Sequence, residues 1–407
     1  MKSALFLFVL AFSLRATAQP TILLQESFGG SGLPQGWSIE AAPGSDGWRF
    51  GTSEELSSLA TLVFPEHGRF AATNDETCNC NKNQERLVLP SLNFAGHANV
   101  FLLFDSYFRG FSYNGIAESA VVQVSTNGGE SWTDVFVVPA FNGWKRYAVN
   151  LSAYANAASA TIAFRYSDGG TWNLGWGVDE VVILSPPPAS VQLLSFIHRD
   201  QEYLPVGSHP VTGKIVNLGA NPLAGLRFAL TLNGTTILTE TVSGLNVAPF
   251  DTADFYLNGS LTVSSPIMYQ AELRISLPNG QNDPVSDDDA IAFSFGGLSS
   301  APARRVLLEA HTGAYFGDCP PVSAMVQNIL NSHPQALAYS MHHADNFATM
   351  QSDTFRSAVG LTIFPSATVD RRRIPGQNDF FVRPAQWNAA VQYRQTRYAP
   401  ASVEIVQ

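Results

Sequence analysis

Hydrophobic and polar positions divide this chain into three stretches of different period. From residue 19 to about 186, short apolar runs alternate with polar turns: Ile22–Leu24, Val100–Phe104, Ala120–Val124, Val135–Val138, Thr161–Tyr166 and Val178–Leu184. Turns such as Thr126-Asn127-Gly128-Gly129 separate them, and no segment sustains a helical period, so this stretch predicts β-strands. Pro186-Pro187-Pro188 then forms a stiff linker. Residues 190–297 continue the alternation in Val191–Phe196, Val211–Val216, Leu226–Leu232, Met268–Ile275 and Ile291–Phe295. Asn217-Leu218-Gly219 and Pro278-Asn279-Gly280 supply turns, and an Ig-like β-sandwich serving as a spacer is expected. It lacks the Cys–Trp–Cys core of antibody domains.

From residue 303 to about 398 the period changes. A strand-like run, Arg305–Ala310, leads through a loop into apolar positions at Val322, Met325, Val326, Ile329 and Leu330, which is helical spacing. Ala336–His342, Ser352–Val359 and Ala367–Val369 then read as strand, helix and strand, the order of an α/β domain. Residues 399–407 read as the opening strand of a further β-domain, so the chain is expected to be a fragment. The fold class is therefore mainly β and multidomain: a β-sandwich, an Ig-like sandwich and an α/β domain.

Residues 1–18 read as a signal peptide. Lys2 provides the charged start, Ala4 to Leu14 the apolar stretch and Ala16-Thr17-Ala18 the small-residue cleavage site. The apolar stretch is too short to span a bilayer. The whole chain carries a net charge of −10, and removal of Lys2 and Arg15 with the leader makes it −12. An acidic, lysine-poor surface argues against nucleic acid or an anionic membrane as partner. Three cysteines are too few for a disulfide scaffold, and their odd number leaves one unpaired within the chain. There is no H-E-x-x-H, no G-x-S-x-G and no P-loop.

In the first unit, Glu26-Ser27-Phe28, Leu33-Pro34-Gln35-Gly36-Trp37, Asp46-Gly47-Trp48, Leu87-Val88-Leu89-Pro90, Val124 to Trp132 and Trp176-Gly177-Val178-Asp179-Glu180-Val181 follow in order. Together they resemble the choice-of-anchor J or cleaved-adhesin module, a MAM-like family of secreted Bacteroidota proteins. The resemblance implies a jelly-roll sandwich over residues 19–186 that binds or displays rather than catalyses, often with calcium. In the last unit, Thr312-Gly313 through Cys319-Pro320, Met341-His342-His343-Ala344 and Phe364-Pro365 with Val369-Asp370-Arg371 resemble the outer-membrane-protein-28-related family. That resemblance implies a thioredoxin-like domain over residues 303–398, with Pro365 as its cis-proline.

The chemistry of that domain turns on one substitution. A strand, a short loop and a Cys at a helix N-terminus is the setting of C-x-x-C, but Phe316 stands where the first cysteine belongs. Cys319 alone cannot run dithiol exchange. It is expected to be a small buried residue in a redox-inactive domain, and the rival reading makes it the thiol of an extracytoplasmic monothiol protein. His342-His343 and Asp345 end a strand and are expected to cap it or face solvent.

Asn74 to Asn83 packs carboxylate and amide oxygens into one loop, as a hard cation such as calcium requires. Glu26 in the first strand and Asp179 in the last are expected to join Asp75 in that site. Cys78 and Cys80 flank Asn79, and a local disulfide that pins the loop is expected; a soft metal would need His67 or His97 brought in by folding. Asp287-Asp288-Asp289 reads as a solvated turn. Six of the seven tryptophans fall in the first unit, most at positions a sandwich core needs, with Trp172 and Tyr113 left in Gly-rich loops.

The expectation is an adhesin-like, calcium-stabilised binding protein, secreted or held at the cell surface or outer membrane of a Gram-negative bacterium. Its partner would be an extracellular protein or a glycan, and a carbohydrate-binding role for the first unit is the sharper form of that reading.

Overall fold

The computed structural model describes residues 19–58, 61–301, 304–315, 317–319, 321–375, 377 and 380–399. The signal peptide of residues 1–18, Phe316 and the strand expected beyond Ala399 lie outside the described residues. The chain is mostly β, with three separate hydrophobic cores followed in order along the sequence.

The first core lies between two sheets. One runs Phe141–Asn150, Phe101–Phe108, Gly175–Ser185, Arg69–Asn74 and Arg49–Thr52, with Thr21–Glu26 also paired to Gly175–Ser185. The other runs Thr133–Val137, Ser119–Ser125, Thr161–Ser167, Glu85–Val88 and Ser38–Glu40. Phe104 and Trp176 from the first meet Phe164 from the second, with ring centroids 5.1 and 5.6 Å apart. Gly175–Ser185 is buried on both faces along most of its length. Its outer face is covered by a second small cluster of Leu56, Leu62, Phe64, Phe70, Tyr107 and Leu174. Trp37, Trp48 and Trp176 are core residues, and Trp176 donates to Ser106 Oγ at 2.8 Å.

The second core also lies between two sheets, of three and five strands. Phe228 and Phe255 bridge them with centroids 4.7 Å apart. Leu226, Phe228, Leu230 and Leu232 point inward from Leu223–Leu232, the period of two that the sequence shows. Thr235–Val247 is a thirteen-residue strand with little burial, and its polar sequence carries no such signal. The solvated turn expected at Asp287-Asp288-Asp289 needs correction. Asp287 is exposed, but Asp289 is only 4% exposed, because the main chain there returns into the sheet through Ile275 N donating to Asp289 O.

In the third unit Leu307–Thr312 is the central strand, parallel to Leu337–His342 and antiparallel to Ser366–Val369. Ala367 forms a further antiparallel bridge to Val382. Leu308 and Ala310 join a core with Val322–Ser332 and Trp387–Gln395, whereas His311, on the opposite face of the strand, stacks on Phe355 of Met350–Val359. The Phe364–Pro365 peptide is cis.

Candidate functional site

The loop Asn74 to Asn83 closes one end of the first sandwich. Asp75–Cys78 forms a single helical turn, capped by Asn74 Oδ1 accepting from Thr77 N at 3.2 Å and ended by Asn79 in the left-handed region. Cys78 and Cys80 are joined in a disulfide, with Cα atoms 5.1 Å apart. Opposite stands the turn after Thr161–Ser167, with Asp168 Oδ2 accepting from Lys82 N at 2.7 Å and Oδ1 from Gly170 N at 2.7 Å. Asp75 Oδ2 in turn accepts from Asn173 N at 2.6 Å, so the two loops are laced together.

Between the loops is a cavity of about 280 Å³ lined by Asp75, Asn79, Cys80, Asn81, Asp168 and Trp172. Burial pushes the Asp75 carboxyl up to about 6; the Asn173 amide pulls against this and the nearby Asp168 charge adds to it. Asn173 is fully buried and donates through Nδ2 to Asp168 O at 2.6 Å and Thr171 Oγ1 at 3.1 Å. Its Oδ1 has no partner among the described residues. A buried amide oxygen without a partner, on a residue bonded to the Asp75 carboxylate and the Asp168 carbonyl, asks for a cation or a donor.

Trp172 stands at the mouth of this cavity, 49% exposed. Phe111, Tyr113 and Ile116 are exposed on the neighbouring hairpin Ser112–Tyr113/Ile116–Ala117. The hairpin can lie against the Asp168 turn because position 169 is glycine: its φ is +69°, and a Cβ there would fall 2.6 Å from Ile116 Cγ2. Glu118 anchors the base, accepting from Phe111 N, Tyr166 Oη, Leu174 N and Gly175 N at 2.7–3.1 Å. Burial raises the Glu118 carboxyl above its ordinary range, against these four donors.

The three expected calcium ligands do not meet. Glu26 pairs in register with Val181, and its Oε1 accepts from Phe28 N at 2.7 Å. Asp179 faces Asp105 and His67 instead. Asp75 adjoins the far end of the same strand, where Asn74 pairs with Gly175, which is about 13 Å from Asp179 at the strand rise of about 3.3 Å. The residues that do join Asp75 are Asp168 and Asn173, about a hundred positions away in sequence and without a motif to mark them. Among the described residues, Asp46, Cys78 and Cys80 form the one group of three side chains with metal-ligand atoms in mutual reach. The disulfide removes both thiolates, and Asp46 is held by Lys82 Nζ at 2.5 Å, so a soft metal does not fit there.

In the third unit Cys319 is 6% exposed and packs with Val322, Val326 and Ile329. Its carbonyl accepts from Val322 N at 3.0 Å, which sets it just outside the helix Val322–Ser332. Pro365 precedes Ser366–Val369, and Phe364 packs on the same core.

No family model and no curated protein matches the chain. Solved structures similar to part of it include two cleaved adhesin domains of Lys-gingipain from Porphyromonas gingivalis. The K3 domain is 19% identical, covering 40% of this chain and 99% of that one at a TM-score of 0.30. The K1 domain is 18% identical, covering 41% and 98% at a TM-score of 0.30. The CBM22-1 xylan-binding domain of Xyn10C from Paenibacillus barcinonensis is 16% identical, covering 41% and 97% at a TM-score of 0.27. No helix among the described residues is long and apolar enough to cross a membrane.

Proposed function

We propose that this chain is a secreted or surface-held binding protein whose first sandwich recognises carbohydrate at the Trp172 end. The observation that carries this reading is the exposed indole of Trp172 beside a cavity of carboxylate and amide groups. An aromatic face takes the C–H face of a sugar ring, and convergent polar groups take its hydroxyls. Core tryptophans of the same unit are buried, so Trp172 is not held there by packing.

Calcium belongs beneath that surface. Asp75 and Asp168 line the cavity with Asn79 and Asn81, oxygen donors of the kind this ion requires, and Asn173, hydrogen-bonded to Asp75 and to the Asp168 carbonyl, has a free Oδ1 to offer beside them. Bound there, it would neutralise the buried carboxylates and cross-link the two loops. Glu26 and Asp179 have no part in it.

The second unit is read as an Ig-like spacer. The third is read as thioredoxin-like on its strand order and its cis-proline, without a dithiol because Phe316 replaces the first cysteine. The leader at residues 1–18 and the acidic composition support a place outside the cytoplasm, at the surface or outer membrane of a Gram-negative, Bacteroidota-type cell.

A glycan array tests the reading, run with the whole mature chain beside Trp172→Ala, each with calcium and with chelator. Specific glycan signals that vanish in Trp172→Ala are expected. A chain that binds no glycan above background overturns the carbohydrate assignment.

A further inference from the structure

Charge is distributed unevenly along the chain. Residues 303–398 carry nine arginines and no lysine against six carboxylates, a net of +3, so with the mature chain at −12 the rest of it carries −15. Six of those arginines gather around one end of the third unit's sheet. Leu308 pairs with Val369, and Leu307 N donates to Asp370 Oδ1 at 2.8 Å, so the residues before Leu307–Thr312 and those after Ser366–Val369 meet there. Asp370 Oδ2 accepts from Arg304 Nη2 at 2.6 Å and from Arg394 Nε at 3.1 Å, and Arg304 Nη1 donates to Tyr398 O at 3.0 Å, next to Arg397.

Acceptors run short here. Asp370 is shared by two guanidinium groups, and from the second unit Glu202 stands 3.9 Å from Arg394 Nη1 and Asp200 lies near Tyr393. Arg304 Nε and Arg397 Nε are buried without an acceptor among the described residues. Around them Arg305, Arg372 and Arg373 are exposed, and their side chains have no ion pair or hydrogen bond among those residues. Asp370 and Arg371 both take left-handed backbone, φ +51° and +49°, in the turn that leads into Arg372 and Arg373. Such backbone is costly for a residue with a side chain, and here the three donors on Asp370 hold it in place.

We propose that this arginine cluster is a docking surface for an acidic polysaccharide, a chain with carboxylate groups at repeated intervals. A guanidinium fork matches a carboxylate through two parallel N–H···O bonds and stays charged throughout the physiological range. Several exposed, unpaired arginines suit repeated charges, whereas a single small anion would be held in a closed pocket. An anionic bilayer or a nucleic-acid duplex is broad, and would set its own charge against the −15 of the rest of the chain. A single extended polymer reaches the cluster without that repulsion. Single-stranded nucleic acid is bound through stacked bases, and the rings here are occupied: Arg397 lies over Tyr393 at 4.2 Å, and Tyr398 packs on the second core. The surface lies in a different unit from Trp172 and is independent of the carbohydrate reading there.

Biolayer interferometry of the full-length mature chain on immobilised alginate, at low ionic strength and with chelator, tests this. The chelator removes any calcium bridge to the first unit. Alginate should bind, and sodium chloride at about 1 M, where charges are screened within about 3 Å, should abolish the signal. Arg305→Gln, Arg372→Gln and Arg373→Gln together should weaken binding about a hundredfold, at roughly fivefold for each cation facing an anionic surface. Those three side chains have no partner to lose, so the melting temperature should be unchanged. Trp172→Ala should bind alginate as the wild type does. Absence of alginate binding at low salt overturns the proposal, as does equal binding by the folded triple variant. Loss of binding in Trp172→Ala also overturns it, because the polymer would then sit on the first unit. Phosphatidylglycerol vesicles or a single-stranded oligonucleotide bound more tightly than alginate would do the same, assigning the cluster to a membrane or to nucleic acid.

Discussion

Asp105 and Asp179 stand directly opposite one another on adjacent strands, and His67 Nε2 lies 3.2 and 3.7 Å from their carboxylates. Like charges at a cross-strand pair oppose sheet formation, and burial pushes the Asp179 carboxyl from 3.8 up to about 7, the Glu180 and Asp105 charges adding to it and the Glu180 amide opposing it. The folded chain therefore holds a proton between about pH 4 and 7 that the unfolded chain has released. Stability contributed by this group is greatest at low pH and falls as pH rises through that window. Asp179→Asn keeps an oxygen for Glu180 N and removes the charge. It should raise stability by on the order of 1 kcal/mol at pH 8 and change little near pH 4. Urea midpoints at the two pH values check this, and an equal shift at both would reject it.

Lys82 is fully buried, with Nζ 2.5 Å from Asp46 Oδ1, 3.5 Å from Glu85 Oε2 and within 3.3 Å of Ser45 Oγ and Gly47 O. Glu85 is also fully buried and accepts from Thr73 Oγ1 at 3.0 Å. Lys82→Met leaves an uncompensated buried carboxylate, so a loss of about 3–5 kcal/mol is expected. Adding Glu85→Gln should return a large part of it, because the double variant has no unpaired charge at Glu85. A double-mutant cycle by chemical denaturation decides; strict additivity would mean the two do not act as a pair.

The calcium assignment separates two ligand sets by experiment. A ligand bound only to the folded state raises the melting temperature with its concentration. Millimolar calcium should stabilise the wild type and Asp179→Asn alike, and should lose its effect in Asp168→Ala. Chelator should lower the wild-type midpoint and leave Asp168→Ala unchanged. Calcium that stabilises Asp168→Ala as strongly as wild type would remove the ion from this cavity.

The strands of the first unit and the strand–helix–strand order of the third could be read from period alone, because their apolar spacing is set by which face is buried. The loop residues could be read only in part. Asp75 and the Cys78–Cys80 pair are local, and they stand out in the sequence. Asp168, Glu118 and Asn173 reach the same place through pairing of distant strands, which no local spacing encodes. The helix Trp387–Gln395 carries its buried face at Trp387, Ala390, Val391 and Arg394. An arginine in that stripe hides the period, and it is tolerated because Asp370 Oδ2 accepts from its Nε at 3.1 Å. His311 is hidden for a similar reason. After Leu307 the odd positions of Leu307–Thr312 are polar, Glu309 and His311, yet Glu309 is fully buried under a bidentate Arg371.

That buried polar face makes a last prediction about acid. His311 Nδ1 lies 3.1 Å from His343 Nε2, both rings are fully buried, and His311 Nε2 and Ser366 Oγ have no partner among the described residues. Two neutral imidazoles can share one N–H···N bond, whereas two charged ones repel. Burial pulls His311 from 6.5 down to about 4, the His343 charge adds to this, and the Glu309 charge opposes it. Burial also lowers His343. Both groups resist protonation only while folded, so the unfolded chain binds more protons below about pH 6.5. The stability they contribute is present above that value and is lost as pH falls toward about 4. Far-ultraviolet circular dichroism follows the transition, since the longer helices, Val322–Ser332, Met350–Val359 and Trp387–Gln395, all lie in this unit. Its melting midpoint should fall steadily between pH 6.5 and 4.5. A His311→Gln, His343→Gln double variant should start from a lower midpoint at pH 7.5, having lost two packed rings, but should show a much flatter pH dependence. A double variant with the wild-type slope would place the acid sensitivity in other groups.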